Sequence, residues 1–158
     1  MKKLVSRFMA VLMAMTMILS MSMTAFAAEA PKGTLKVNNT VAGKTLDLYQ
    51  IFTATKSGDN VAYTLNSAYE GFFKTKVDNG SSLSGEALSE AAYNYVNAQV
   101  GTDGSNGAEF AKAILGWILE NNATVDATHT TATTTDGTTV INNLAYGYYV
   151  VYPLGATD

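Results

Sequence analysis

Residues 33–52 read GTLKVNNTVAGKTLDLYQIF, two runs with a hydrophobic period of two, separated by a glycine. That period belongs to a β-strand, whose side chains alternate between two faces. Leu35, Val37 and Val41 line one side of the first run. In the second, Leu46, Leu48, Gln50 and Phe52 alternate with Asp47, Tyr49 and Ile51. Neither set is wholly polar, so the second strand is expected to be covered on both sides, at least in part. A third short strand is expected at residues 61–65, after the turn Ser57-Gly58-Asp59-Asn60.

The period then changes. Ser67 can cap a short helix carrying Tyr69, Phe72 and Phe73, and residues 78–82 read as a loop. Ser84 opens a longer helix reaching about residue 100, with Leu88, Ala91, Ala92, Tyr95 and Val96 at three- and four-residue spacing. Residues 101–107 break it. A third helix follows over 108–121, with Phe110, Ile114, Trp117 and Ile118 on one face and expected to be largely buried. Beyond Thr124 the pattern returns to β. The Thr-rich stretch 128–135 suits an exposed strand, and Asp136-Gly137 signals a hairpin to residues 138–141. Asn142-Asn143-Leu144-Ala145 reads as a turn, and 146–152 as the last strand, stopped by Pro153. The expected fold is mainly β with inserted helices, an α+β chain. Its first and last strands should meet in one unit, with the helical segment packed along it.

The N-terminus carries its own signal. Lys2, Lys3 and Arg7 precede an apolar run over 8–23, and Ala25-Phe26-Ala27 places small residues at −3 and −1. This is the layout of a secretory leader, residues 1–27, cleaved between Ala27 and Ala28. The run is shorter than the roughly 20 residues of a spanning helix and is interrupted by Ser and Thr. Residues 28–158 are therefore expected as one exported domain with no membrane span. The leader removes three cations and no acid, leaving seven Lys and Arg against thirteen Asp and Glu, a balance of −6. That balance argues against nucleic acid or an anionic membrane as partner. Cysteine is absent. An exported domain without disulfides must be held by packing, a metal or another covalent link.

Catalytic constellations fail on inspection. His129 is the sole histidine and no GxSxG nucleophile motif is present. One His and no Cys make a zinc site implausible, and the acids follow no calcium-loop pattern. Glu86 and Glu90 share a helical face, but their early-helix position suits a solvated pair favoured by the helix dipole. Tyr146, Tyr148, Tyr149 and Tyr152 fit a strand packed into a core, against Trp117, better than a sugar platform. No catalytic residue, metal or cofactor is expected.

Four segments in order carry a resemblance: GTLKVNNTVAGKTLDLYQIF, VAYTLNSAYEGFF, AYNYVNAQ and NLAYGYYVVYP. Together they resemble the N-terminal domain of the sortase-assembled, isopeptide-forming fimbrial pilins of Gram-positive bacteria. The resemblance implies an immunoglobulin-like β-sandwich of the collagen-adhesin B kind. It implies a cell-wall or pilus location, and a sortase and other pilin subunits as partners. The chain would then be the N-terminal part of a longer, multi-domain subunit. A wall-anchored adhesin domain that binds a host protein or glycan is the alternative. The family's acceptor lysine lies in a VYPK-type motif; here Val151-Tyr152-Pro153 is followed by Leu154.

The resemblance also raises an internal Lys–Asn crosslink, which needs a neutral amine, a carboxamide and a proton-shuttling acid in an apolar pocket. Lys36, Lys44, Asn142 and Asn143 are the candidates, with Asp47, Glu70 and Glu90 as possible acids. Leu35 and Val37 flank Lys36, so alternation points it to solvent. Gln50 stands where related domains often have Lys, and it cannot attack. The expectation is no crosslink.

Overall fold

The computed structural model describes residues 13–16, 32–57, 60–101 and 106–154. The expected cleavage site at Ala25, Ala27 and Ala28 lies outside the described residues. The strands are β1 (Met13–Thr16), β2 (Lys32–Thr40), β3 (Thr45–Ser57) and β4 (Asn60–Leu65). A 3-10 turn, Ser67–Tyr69, leads into helix α1 (Glu70–Lys74). Helices α2 (Gly85–Val100), α3 (Gly107–Glu120) and α4 (Asn122–Val125) follow. The chain closes with β5 (His129–Thr133), β6 (Gly137–Ala145) and β7 (Gly147–Leu154).

All pairings are antiparallel, in two sheets. The larger runs β1-β7-β3-β4, with β5 also pairing β3; the smaller is β2-β6. Strand β3 is the axis. Its first half pairs β5 and its second half β4, while β7 runs along the opposite side. The expected mixed α+β class is what the chain adopts.

Alternation along β3 and β7 sorts two cores. Leu46 and Leu48 of β3, with Tyr149 and Val151 of β7, meet Leu35, Val37, Ile141 and Leu144 of the β2-β6 ladder. On the other face, Tyr49, Ile51 and Phe52 join Tyr148 and Val150 in a larger core with the helices. Phe110, Ile114 and Ile118 of α3 and Leu88, Ala92 and Val96 of α2 supply the helical side. Strands β2 and β7 thus face each other across the smaller core, and β3 is covered on both sides, as its sequence suggests. The register of β3 on β7 shifts between Gln50 and Phe52. This bulge lets the consecutive residues Ile51 and Phe52 both enter the larger core. Strict alternation had placed them on opposite faces.

Phe52 is the hub of the larger core. Its ring lies 5.8 Å from Phe73, 6.0 Å from Tyr148, 6.3 Å from Tyr93 and 6.5 Å from Tyr63. The contacts with Tyr63, Tyr93 and Tyr148 are edge-to-face and that with Phe73 is tilted; edge-to-face pairs add about 0.5–1.5 kcal/mol each beyond the area they bury. Trp117 departs from expectation: it is only partly buried, and its ring neighbours are Tyr69 and Phe72 rather than the tyrosines of the last strand.

The Thr-rich stretch also folds differently. Strand β5 pairs β3, and β6 pairs β2, so Asp136-Gly137 closes no hairpin. It is a corner that takes the chain from one sheet to the other. The Val41–Lys44 segment is the matching corner between β2 and β3, and Val41 is 62% exposed rather than lining a strand face. The two corners are clasped together by threonines. Thr134 N–H donates to Lys44 O at 2.8 Å, and Lys44 N–H donates to Thr134 Oγ1 at 2.8 Å. The Thr134 hydroxyl donates to Val41 O. Beside it, Thr40 Oγ1 donates to Thr135 O at 2.7 Å and accepts from Thr139 Oγ1 at 2.8 Å. Thr40, Thr134 and Thr139 are buried, so their hydroxyls need these partners. Nor do Asn142 to Ala145 turn the chain: they remain in β6, with Asn143 at φ 60 producing an irregularity.

The β6–β7 turn is held by Gln50 and Gly147. Gln50 Nε2 donates to Tyr146 O at 3.2 Å. A Cβ on Gly147 would sit 2.2 Å from Phe52 O and 2.9 Å from Gln50 Nε2, so only glycine fits against β3 here. Gly147→Ala should cost about 1–3 kcal/mol through overpacking against backbone. It should appear as a lower urea midpoint at unchanged slope.

Burial also predicts an alkaline limit. It pushes the Tyr149 hydroxyl from 10.0 up to about 12, and raises Tyr69 and Tyr148 further. Tyr49 is raised by burial, then by Asp47 and Tyr152. The folded state holds these protons more tightly than the unfolded chain does. The resulting stability is full below about pH 10 and declines as pH rises towards about 12. Urea titrations on the two sides of about pH 10 should show that fall.

Candidate functional site

The crosslink candidates come first. Strand pairing sets Lys36 opposite Val140 and Leu35 opposite Ile141. Lys36 and Asn142 therefore share the outer face of the β2-β6 ladder, both exposed. Asn142 Oδ1 accepts a bond from Thr34 Oγ1 at 3.0 Å. Asn143 and Lys44 are also exposed, Asn143 in the left-handed bulge and Lys44 in the corner. The Lys36 and Lys44 side chains are both open to solvent rather than set in an apolar pocket. The acids stand elsewhere. Glu70 pairs with Lys74 at 3.1 Å, and Glu90 is exposed on α2. Gln50 is engaged in holding the β6–β7 turn.

Asp47 has a different partner. It lies in the middle strand of the larger sheet and is only 4% exposed. The register aligns Tyr49 with His129, and His129 Nε2 bonds the Asp47 carboxylate. The imidazole stacks on Tyr49, with ring centroids 4.8 Å apart and planes 14° from parallel. Tyr152 faces Asp47 from β7. A carboxylate buried in a sheet needs such a partner, because an unpaired buried charge costs several kcal/mol. Sequence reasoning named both residues but did not join them. The cue was available: Asp47 falls among apolar positions, and one histidine begins a strand of threonines.

Among the described residues, an open groove of about 750 Å³ lies between β4 and the first turns of α2. Val61, Tyr63 and Leu65 line one wall; Glu86, Glu90 and Tyr93 line the other. Tyr63 and Tyr93 are stacked, centroids 5.1 Å apart at 14°. Leu65 N–H donates to Ser89 Oγ at 3.0 Å, so the helix closes one end of the strand's outer edge. Glu86 and Glu90 stand on one exposed face, as expected.

Among the described residues, no cluster of three or more His, Cys, Asp or Glu could hold a metal. Among the same residues, no helix is long and apolar enough to cross a membrane. No protein family, curated protein or solved structure matches the chain.

The Asp47–His129 pair gives a direct test. His129→Ala should destabilise by about 2–4 kcal/mol, because it leaves the carboxylate buried without its partner. Asp47→Asn combined with His129→Ala should cost less than the sum of the singles. A coupling of about 0.5–3 kcal/mol from the double-mutant cycle is expected.

Proposed function

We propose that this chain is a structural building block: the N-terminal domain of a sortase-assembled surface pilus subunit. It is exported and wall- or pilus-associated, has a sortase and other subunits as partners, and performs no catalysis itself. One observation carries the reading. The four segments behind the resemblance each form part of the scaffold, in the same order. Residues 33–52 give β2 and β3, residues 61–73 give β4 and α1, residues 92–99 lie in α2, and residues 143–153 close β6 and form β7. An immunoglobulin-like sandwich of the collagen-adhesin B kind is the finer fold proposed. Tyr149 Oη donates to Ala145 O at 2.6 Å, four residues upstream, a corner familiar from such sandwiches. The second reading, an anchored adhesin domain binding a host protein or glycan, draws on the tyrosine-lined groove beside β4.

Antibodies raised against residues 28–158 should detect a ladder of boiling- and detergent-resistant polymers in wall extracts. The ladder should collapse to monomer when the sortase gene is deleted. A single band that does not depend on sortase would reject the pilus subunit. Retention of that band in the wall would favour the adhesin.

A further inference from the structure

Strand β7 is bonded on both sides, and one partner is drawn from the leader. Along one edge it pairs β3, from Thr45↔Leu154 to Thr53↔Gly147. Along the other it pairs β1, in the register Met13↔Val151, Ala14↔Val150, Met15↔Tyr149 and Thr16↔Tyr148. Strand β1 also runs beside α3. It lies within residues 1–27, the part of the chain that export is expected to remove.

Removal would strip the outer edge of β7 while leaving both of its faces engaged. Tyr148 and Val150 stay in the larger core, and Tyr149 and Val151 in the smaller one. Natural edge strands are guarded by charges, bulges, proline or a covering helix. The β4 edge has such a cover, since Ser89 of α2 takes the Leu65 N–H. β7 reads GYYVVYPL, with no charged residue and a proline only near its end. Its outer edge is built to be paired.

We infer that this edge is an acceptor for an extended, apolar, antiparallel strand of another protein chain, and that Met13–Thr16 fills it only until the leader departs. The occupant's chemistry is that of the segment seated there, Met-Ala-Met-Thr, short, apolar and antiparallel. Backbone bonds supply the affinity, as in other strand-addition complexes. The inference rests on the export reading and deepens the proposed function by placing a partner contact on β7.

The test compares the secreted, processed protein with a precursor whose leader is retained by Ala27→Arg. The probe is a synthetic peptide of residues 11–18 carrying a solubilising lysine tag. Fluorescence anisotropy should show saturable binding to the processed chain and none to the precursor. Hydrogen exchange of those amides among 148–151 that face away from β3 should slow roughly tenfold or more with peptide bound. Methylating alternate peptide nitrogens separates edge pairing from apolar adhesion. One alternate set should abolish binding and the other should not, because only every second residue turns its N–H to a given neighbour. The inference is overturned by unchanged exchange at saturating peptide or by equal effects of the two methylated sets. A processed chain that dimerises in sedimentation and refuses the peptide also overturns it, as does a secreted chain still beginning at Met1. The polymer ladder is read independently, so failure here is distinct from failure of the pilus assignment.

Discussion

The fold depends on one constraint: β3 must be covered on both faces and bonded along both edges at once. Leu46 and Leu48 need a layer on one side, and Ile51 and Phe52 need one on the other. A single sheet with one solvated face cannot satisfy both. The chain answers with a two-stranded ladder on one face and helices α1 to α4 on the other. Each layer buries apolar area worth roughly 25 cal/mol per Å² removed from water. No cysteine is present to add a disulfide, so among the described residues the fold is held by this double covering.

The two corners follow from that constraint. A chain that lays β2 and β6 over a sheet containing β3, β5 and β7 must leave one sheet for the other near Val41 and again near Asp136. Changing layers removes backbone groups from their ladders. The buried hydroxyls of Thr40, Thr134 and Thr139 replace those partners. A threonine-rich segment is thus a device for crossing between layers, as well as a good strand former.

Much of this was legible in the residues. Periods of two and of 3.6 located β2, β4, α2, α3 and β7 to within a residue or two of their ends, whereas β3 runs past Phe52 to Ser57, a residue that reads locally as turn. Two-sided burial of β3 followed from its lack of a polar face. What pairs with what was not legible. Asp136-Gly137 has the local chemistry of a hairpin, yet its flanking strands find longer partners in β3 and β2. Asn143 adopts φ 60 inside a strand, where its sequence context reads as a turn. The β3 bulge was equally hidden, since nothing in YQIF announces an extra residue. In each case tertiary pairing decided between local conformations of similar energy.

The Asp47–His129 pair shows the same limit at the level of chemistry. Read singly, each residue is weak evidence: one acid among several, and one histidine without ligands. Their meaning lies in a separation of eighty-two residues closed by the β3-β5 register. Replacing a buried polar pair by apolar residues is often neutral or stabilising, so a contact retained in the middle strand is poor evidence of stability for its own sake. Its effect here is selective. A shift of β5 by one residue would move His129 to the opposite face and leave Asp47 buried alone. The pair therefore penalises every neighbouring register of β5, a strand of threonines whose own side chains distinguish those registers weakly. A polar contact in an apolar sheet can fix alignment where hydrophobic burial cannot.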